Sequence, residues 1–296
     1  MDDSQKAPNL SINQTNTISM PLVSIITPVL NRVKYIEECI LSVLNQSYPN
    51  IEHIFTDGGS TDGTLDILAK YKHEYPGKII FFPESEDSGP QSAVNKMIQL
   101  ANGEIIGFLG SDDTLPPDAI EAVVDFYRAN PEAFFLFGSC NYMNDQGELV
   151  RTVKAREFSL HKIIHGRFYV YGCSMFYKRD LFNKIGLFTV SGEDAITSDL
   201  DLLIRAGKTF PMPHIEKVLS NFRMRQWRLS GESWRKSKAY LKSSYIITKR
   251  YGASNLSWSA RAYFFSNLID WIRPVFGFTY PLIDKLVEKY RFHKRL

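Results

Sequence analysis

Apolar runs alternate with helically spaced apolar positions through the first half of the chain. Five apolar runs predict buried strands over residues 22–26, 51–55, 78–82, 105–109 and 133–137. Segments between them have apolar residues at helical spacing and predict helices over 35–45, 64–75, 91–101 and 117–130. Strands that alternate with helices indicate right-handed βαβ units. The pattern therefore predicts an α/β fold with a mostly parallel central sheet flanked by helices.

The two ends of the chain depart from this pattern. Residues 1–20 are rich in Ser, Asn, Gln and Thr, and we expect a disordered leader that is not a signal peptide. Residues 231–296 hold 13 basic and 4 acidic side chains, and their apolar spacing predicts two amphipathic helices. We therefore divide the chain into a leader over 1–20, a catalytic domain over 21–230 and a helical basic C-terminal extension over 231–296.

Composition and missing motifs exclude several classes of protein. The net charge of +3 is too small to suggest a nucleic-acid partner. The three cysteines lack a C-x-x-C spacing, which argues against a disulfide framework or a zinc site and fits a reducing cytoplasm. The sequence contains no run of about 18 apolar residues, so it predicts no transmembrane helix. The absence of G-x-G-x-x-G, of the P-loop motif and of G-x-S-x-G disfavours dinucleotide dehydrogenases, P-loop enzymes and α/β-hydrolases.

Polar and acidic residues follow four of the predicted strands, at 27–31, 56–60, 83–89 and 110–113. Ligands of open α/β sheets bind at the carboxyl ends of the strands, so we expect the site there. Asp112 and Asp113 follow an apolar strand, which favours either a divalent cation or a helix cap formed by Asp113 or Thr114. Asp57 fits either a turn or a hydrogen bond to a nucleobase or sugar.

Four motifs in this order resemble those of family-two glycosyltransferases of the GT-A fold: VSIITPVLNR at 23–32, DGGSTDGT at 57–64, SEDSG at 85–89 and SDD at 111–113. The resemblance covers about residues 21–230. It implies a metal-dependent, inverting enzyme that moves one sugar from a nucleotide-sugar donor, most simply a UDP-sugar, to a hydroxyl of a glycan or lipid-linked acceptor. Such a reaction serves the synthesis of cell-surface polysaccharide.

The resemblance also implies roles for individual residues. The nucleotide pocket would be lined by Thr27, Pro28 and Asn31, and Asp57 would pair with the base. The nucleoside would lie along Ser88, Gly89 and Asn95. The metal-binding element would be Ser111, Asp112 and Asp113, with Asp112 facing the ribose and Asp113 binding Mn²⁺ or Mg²⁺.

The second half of the domain resembles the family as well. Segments 172–182 and 186–188 lead to a stretch in which Asp199 falls on the position of the catalytic base. Asp201 and Arg205 are four residues apart on one predicted helix and predict a surface salt bridge. Asp199, placed after a Ser198 N-cap, is freer to face the cleft. Weaker candidates for the base are Glu193 and Asp194, for which a solvated loop is the alternative.

Some positions depart from the pattern of the family. Gly58 stands where many relatives have aspartate, and Ser88 and Ser92 stand where many have Lys and Asp. In FRMR at 222–225, Arg225 replaces a histidine that relatives often carry. Arg225 cannot ligate a metal, but its cation could contact the donor diphosphate.

Two questions stay open from the sequence. The enzyme could be cytoplasmic with its basic extension bound to the anionic inner face of the membrane, or the helices of the extension could pack on the catalytic domain.

Two other functions are compatible with the fold class. A sugar nucleotidyltransferase would carry a Gly-rich loop after the first strand, which 27–31 lacks. A non-catalytic nucleotide- or sugar-binding module would not need both Asp113 and Asp199.

Overall fold

The computed structural model of the chain describes residues 20–82, 89–166, 170, 172–224 and 231–276. Most of the predicted leader lies outside these residues, as do Ser88, Arg225 and the second predicted helix of the extension, which falls after residue 276.

Eight strands of the described residues form one sheet. They are β1 Val23–Val29, β2 Ile51–Asp57, β3 Ile79–Phe82, β4 Ile105–Phe108, β5 Phe135–Met143, β6 Leu149–Val153, β7 Met175–Lys178 and β8 His214–Arg223. The strand order is β3-β2-β1-β4-β7-β5-β6, and β8 also pairs with β5. The first four strands are parallel, and β8 is parallel to β5. Antiparallel pairings join β7 to β4 and β5, and β6 to β5.

Nine helices are present in the same part of the chain. They are α1 Ile36–Leu44, α2 Thr64–Glu74, α3 Pro90–Leu100, α4 Ala119–Ala129, α5 Leu160–Ile164, α6 Asp180–Ile185, α7 Ser198–Thr209, α8 Gly231–Arg250 and α9 Trp258–Phe276. The predicted strands and helices of the first half are therefore present, with ends that differ by a few residues. The fold is the predicted α/β arrangement of a central sheet flanked by helices.

Three strands extend beyond the predicted runs, and of these β2 continues by two residues to Asp57. Pro28 has no N–H group, but β4 pairs only with Val23–Ile26 of β1, so no hydrogen bond to β4 is lost at Pro28. β1 therefore continues through this residue. β5 continues past Gly138 to Met143. A side chain at Gly138 would place its Cβ 2.5 Å from Cγ of Leu219, so this glycine lets β8 approach β5 closely.

Apolar clusters cover the sheet on both faces. One cluster joins the sheet to α3, α6 and α7 through residues such as Met97, Leu181 and Leu202. A second cluster joins it to α1 and α4 through Cys39 and Val123, and a third joins it to α1 and α2 through Ile40 and Leu68. Strands that are buried on two faces read as continuous apolar runs, which is why the sequence predicts β1, β2 and β4 so directly.

The described part of the C-terminal extension packs on the catalytic domain. Ser243 of α8 lies 2.7 Å from the hydroxyl of Thr197, and Tyr251 donates a 2.8 Å hydrogen bond to Asp201. The backbone N–H of Trp258 at the start of α9 donates to the carbonyl of His165. The contact at the start of α9 agrees with the packing interpretation of the first predicted helix of the extension, whereas α8 was not predicted from the sequence. None of the helices described here is both long enough and apolar enough to cross a membrane.

Candidate active site

The segments that follow β1, β2 and β4 meet at one edge of the sheet. The backbone N–H of Asn31 donates to Oγ of Ser60 at 2.8 Å, and Asn31 Oδ1 accepts from the N–H of Thr61 at 2.9 Å. Arg32 Nε lies 3.9 Å from Asp112 Oδ2. Asn31 has φ of +52°, a left-handed conformation that asparagine tolerates better than most residues. The strand-end residues that the sequence singled out therefore converge.

Asp57 forms the turn after β2. Its Oδ2 accepts hydrogen bonds from the N–H groups of Gly59 and Ser60 at 2.8 and 2.7 Å, and its Oδ1 accepts from Oγ of Ser60 at 2.5 Å. The turn interpretation is thus observed. A contact between Asp57 and the nucleobase stays a prediction.

Asp113 is a buried carboxylate at the end of β4. Its Oδ1 accepts a 2.9 Å hydrogen bond from the backbone N–H of Arg223. Burial raises the pKa of Asp113 to about 7, although the hydrogen bond from Arg223 acts in the opposite direction. A Cβ at Gly110 would lie 2.5 Å from Asp113 Oδ2, so only glycine leaves room for the carboxylate there.

The helix-cap alternative for Asp113 and Thr114 is wrong. Helix α4 begins at Ala119 and its N-cap residue is Asp118, which is five residues after Asp113 and four after Thr114. Thr114 instead forms an antiparallel bridge with Asn221 of β8 and accepts a 3.0 Å hydrogen bond from its side chain. The strand that carries Arg223 is therefore fixed beside the Asp112-Asp113 element.

Arg223 is the residue that the sequence reasoning missed. Its guanidinium donates to the carbonyl of Asp112 at 2.8 Å, while its backbone N–H holds Asp113. The only signal in the sequence was the FRMR segment at 222–225, whose interpretation rested on Arg225. In the structure, the second residue of that segment, Arg223, lies beside the Asp112-Asp113 element.

Asp199 lies in the first turn of α7. The helix begins at Ser198 and its N-cap is Thr197, so the expected Ser198 cap is wrong by one residue. Oδ1 of Asp199 accepts from the N–H of Leu200 at 2.9 Å, and burial raises the pKa of the carboxyl group. Among the described residues, no cation forms an ion pair with Asp199.

The neighbouring carboxylates are engaged elsewhere. Asp201 pairs with Arg205 at 2.8 Å as expected, but this pair is not on the surface. Asp201 is 4% exposed and also accepts from Tyr251, with a guanidinium nitrogen of Arg250 at 3.7 Å. The weaker base candidates are each paired with a cation of α8, Glu193 with Lys242 and Asp194 with Arg250.

The other predicted nucleotide contacts take varied places. Thr27 is buried and its Oγ1 lies 2.9 Å from Nε2 of His53, so any ligand contact would use its backbone. Asn95 on α3 exchanges two 2.9 Å hydrogen bonds with the backbone of Phe188. The remaining members are the half-buried Pro28, Gly89 at the start of α3 and the buried Ser111.

Asp113 and Asp199 each influence the pKa of a residue on or next to β7. A hydrogen bond with Cys140, burial and the charge of Asp113 raise the pKa of Cys173, which lies two residues before β7. Burial and the charge of Asp199 raise the pKa of Tyr177, on the same strand. The two carboxylates therefore influence opposite ends of one short segment.

The chemistry of the Asp112-Asp113 element fits a divalent cation. Two hard carboxylates stand together, and burial disfavours the charge of Asp113 unless a cation compensates it. Within the described ranges, no group of three His, Cys, Asp or Glu side chains could hold a metal unaided. Mg²⁺-type sites typically use one or two carboxylates together with the phosphates of a bound substrate.

Comparison with known proteins points to one family. A family model described as "Glycosyl transferase family 2" matches residues 24–186. The putative teichuronic acid biosynthesis glycosyltransferase TuaG of Bacillus subtilis is 31% identical over 219 residues, which cover 74% of this chain and 85% of that protein. The chondroitin synthase of Escherichia coli is 30% identical over 68% of this chain, and the match spans only 29% of the synthase.

Solved glycosyltransferase structures share the fold at low identity. A mannosyltransferase from Pyrobaculum calidifontis in complex with GDP-Man and Mn²⁺ superposes with a TM-score of 0.60 and 18% identity, over 94% of this chain and 84% of the other. S. aureus TarS 1–349 in complex with UDP-GlcNAc has a TM-score of 0.55 and 20% identity, over 85% and 81% of the two chains.

Proposed function

Because the chain belongs to glycosyl transferase family 2 and has the GT-A fold, we propose that it is an inverting enzyme that transfers one sugar from a nucleotide-sugar donor. The acceptor would be a hydroxyl of a glycan or lipid-linked intermediate in cell-surface polysaccharide synthesis. The observation that carries this proposal is the buried Asp113 carboxylate at the edge where the loops after β1, β2 and β4 converge. The named activities of TuaG and of the chondroitin synthase support a polysaccharide product.

For the donor we propose a UDP-sugar. Two TarS structures contain UDP or UDP-GlcNAc, whereas the mannosyltransferase contains GDP-Man. In this chain the nucleotide would lie across the edge formed by Asn31, Asp57 and Asp112. Arg225 would contact the diphosphate.

Asp113, with Asp112 beside it, would hold Mn²⁺ or Mg²⁺. The bound ion would supply charge neutralisation for the departing diphosphate. The hydrogen bond from Arg223 would keep the Asp113 oxygens in place. The absence of a side chain at Gly110 leaves room for them.

Asp199 would act as the general base. Its carboxylate would take the proton from the acceptor hydroxyl as that oxygen attacks the anomeric carbon. Burial raises the pKa of Asp199, which makes it a stronger proton acceptor than an exposed aspartate. One displacement inverts the configuration and needs no covalent intermediate on the enzyme.

We also propose that the enzyme works in the cytoplasm, at the inner face of a membrane. The three cysteines are free and buried, which suits a reducing compartment. The basic extension carries exposed apolar side chains on α9, including Phe264 and Leu268. Such a helix suits peripheral contact with an anionic surface.

Calorimetric titration with UDP and GDP, with and without Mn²⁺, tests the function. We expect UDP to bind more tightly with Mn²⁺ and a UDP-sugar to be consumed when acceptor is present. A protein that binds nucleoside triphosphates and releases pyrophosphate would be a nucleotidyltransferase. Metal-independent nucleotide binding without transfer would indicate a binding module and overturn the proposal.

A further inference from the structure

Arg223 is a buried cation at the end of β8, with 4% of its surface exposed. Its guanidinium donates to three carbonyl oxygens: Nε to Asp112 at 2.8 Å, and Nη1 to Asn144 and Asp145 at 3.3 and 3.1 Å. Nη2 donates to Oε2 of Glu38 at 2.6 Å. Every nitrogen of the guanidinium is therefore committed to a protein partner.

The partners of Arg223 come from parts of the chain that are far apart in sequence. Glu38 lies on α1, and Asn144 and Asp145 form the turn between β5 and β6. The ring of Tyr35 lies under the guanidinium, with 5.0 Å between the guanidinium carbon and the ring centroid. Lys34 and Tyr35 both hydrogen-bond Asp145. The arginine thus joins the start of α1, the hairpin turn and the end of β4.

Arg223 holds both aspartates of the metal-binding element. Its side chain fixes the carbonyl of Asp112, and its backbone N–H fixes Oδ1 of Asp113. The two bonds leave from the same residue in different directions, so a shift of Arg223 displaces both aspartates together.

We propose that Arg223 is a positioning residue that sets the geometry of Asp112 and Asp113 for the metal and the donor diphosphate; this rests on the proposed function. A buried carboxylate binds a small divalent cation well only when its oxygens are held in place, and the partners of metal ligands are a large part of that restraint. The planar fork of arginine reaches carbonyls in three directions at once. The compact ammonium of lysine keeps the charge but cannot form the same set of hydrogen bonds.

Arg205 offers a matched control within the same chain. Its guanidinium also donates to the carbonyls of three consecutive residues, Ile185, Gly186 and Leu187, and to the carboxylate of Asp201. Arg205 lies on α7 and contacts neither Asp112 nor Asp113. Substitution by lysine at both positions therefore removes a similar number of bonds, but only one of the two sites supports the metal-binding element.

The experiment compares Arg223→Lys and Arg205→Lys by thermal unfolding and by calorimetric titration of UDP with and without Mn²⁺. We expect both variants to unfold at a lower temperature than the wild type. In Arg223→Lys the UDP affinity measured with Mn²⁺ should fall about 10–100-fold, with the metal-free affinity unchanged. In Arg205→Lys the effect of Mn²⁺ on UDP affinity should match the wild type.

A kinetic measurement separates positioning from general loss of structure. At a fixed low Mn²⁺ concentration the KM for the donor should rise in Arg223→Lys, and excess Mn²⁺ should return it toward the wild-type value. A lowered kcat that ignores added Mn²⁺ would overturn the inference. Wild-type Mn²⁺ dependence in the folded Arg223→Lys protein would overturn it as well, while leaving the proposed function intact.

Glu38→Gln gives a second variant if Arg223→Lys fails to fold. Glu38 is largely exposed, so its loss should leave the fold intact but remove the carboxylate that holds Nη2. We expect a smaller loss of the Mn²⁺ effect in Glu38→Gln, and none in the adjacent control Glu37→Gln, which contacts Lys70 and Tyr71 instead. Equal behaviour of the two variants would overturn the inference. Absence of a Mn²⁺ effect in the wild type would overturn both it and the proposed function.

Discussion

At Asp113, burial and hydrogen bonding act on the same carboxyl group in opposite directions. Burial dominates and raises the pKa from its usual value near 3.8 to about 7, while the N–H of Arg223 favours the charged form. The folded, metal-free protein therefore holds a proton that the unfolded chain has lost between these two pH values. The stability that this proton contributes is present below about pH 3.8 and is lost as the pH rises through about 7.

Asp113→Asn tests this balance together with the metal assignment. Without metal, we expect the wild type to lose thermal stability relative to Asp113→Asn as the pH is raised from about 5 to 8, because only the wild type must bury a charge. Mn²⁺ at pH 8 should stabilise the wild type alone and strengthen its UDP binding alone. Thermal unfolding and calorimetry measure both effects.

The variant is its own control for the other titrating groups. Burial lowers the pKa of His53 to about 3, and this residue is the same in both proteins. A stability difference that stays constant across the pH range would contradict the pKa assigned to Asp113. Equal strengthening of UDP binding by Mn²⁺ in both proteins would show that Asp113 does not bind the metal.

Asp199→Asn should retain donor binding and lose transfer by a factor of about 10²–10⁴, because an amide cannot accept the proton of the acceptor hydroxyl. Asp201→Asn is the matched change two residues away. We expect it to destabilise the fold by roughly 1–3 kcal/mol, since it weakens buried bonds to Arg205 and Tyr251. Donor consumption and thermal unfolding separate the two effects. Unimpaired transfer by Asp199→Asn would move the base to another residue.

The family resemblance implied roles for Asp113 and Asp199, which stay predictions, but no motif pointed to Arg223. Asp113 follows an apolar strand, a position that by itself was open to a cation ligand or a helix cap. Arg223 acts through carbonyls at residues 112, 144 and 145, which carry no side-chain signal in a sequence. Only the pairing of β8 with β5 and with Thr114 brings these groups together.

The end of β4 shows how one element sets the geometry of the site. Gly110 follows the strand, and a Cβ there would lie 2.5 Å from Asp113 Oδ2. Gly110→Ala should therefore displace the carboxylate, weaken the Mn²⁺-dependent binding of UDP and cost about 1–3 kcal/mol of stability by overpacking. Calorimetry and thermal unfolding measure the two quantities.

Gly77→Ala is the control for this change. Gly77 has φ of +82°, and a Cβ there would meet no atom within 4 Å, so alanine adds backbone strain of about 1–2 kcal/mol without touching the site. Both variants should unfold earlier than the wild type, but only Gly110→Ala should bind UDP more weakly with Mn²⁺. If both variants bind UDP more weakly with Mn²⁺, the loss comes from lower stability and not from the position of Asp113.

Strands β5 to β8 were harder to predict in full than β1 to β4. β1 to β4 lie in parallel pairings and read as apolar runs, whereas β5 contains Gly138 and a polar stretch that continues to Asn141. β8, from His214 to Arg223, carries charged and polar residues along most of its length. These strands are held by pairings with distant segments, which local hydrophobic pattern does not reveal.

At the scale of the whole molecule, the charge of the chain is unevenly distributed. Residues 231–296 hold 13 basic and 4 acidic side chains in a chain whose net charge is +3. The sequence left two partners open for this extension, an anionic membrane and the catalytic domain, and the described contacts of α8 and of the start of α9 are with the catalytic domain. The buried hydroxyls of Thr197, Ser243, Thr248 and Ser259 fasten α8 to the catalytic domain and to α9. Such polar contacts give no apolar pattern that could be detected in the sequence.

Within the described part of the extension, packing on the catalytic domain does not account for the exposed face of α9. Phe264 and Leu268 are one helical turn apart and are 51% and 49% exposed. Burying such side chains in a bilayer interface would contribute up to about 1.5–3 kcal/mol each, and each nearby Lys or Arg about 1 kcal/mol at an anionic surface. We therefore expect the full chain to attach to anionic vesicles, and added salt to weaken this attachment because it screens charges beyond about 8–10 Å.

The double variant Phe264→Gln, Leu268→Gln should lose much of this attachment and keep its UDP binding, since the nucleotide residues all lie on the catalytic domain. Leu149→Gln, at a 63% exposed position on β6, is the matched control and should attach like the wild type. Removal of residues 255–296 is a stronger test but also deletes Ser259, which contacts Thr248 of α8. Cosedimentation with vesicles across a salt series measures attachment. If the wild type ignores anionic vesicles at low salt, or if the double variant attaches equally well, α9 serves packing alone and the membrane proposal falls.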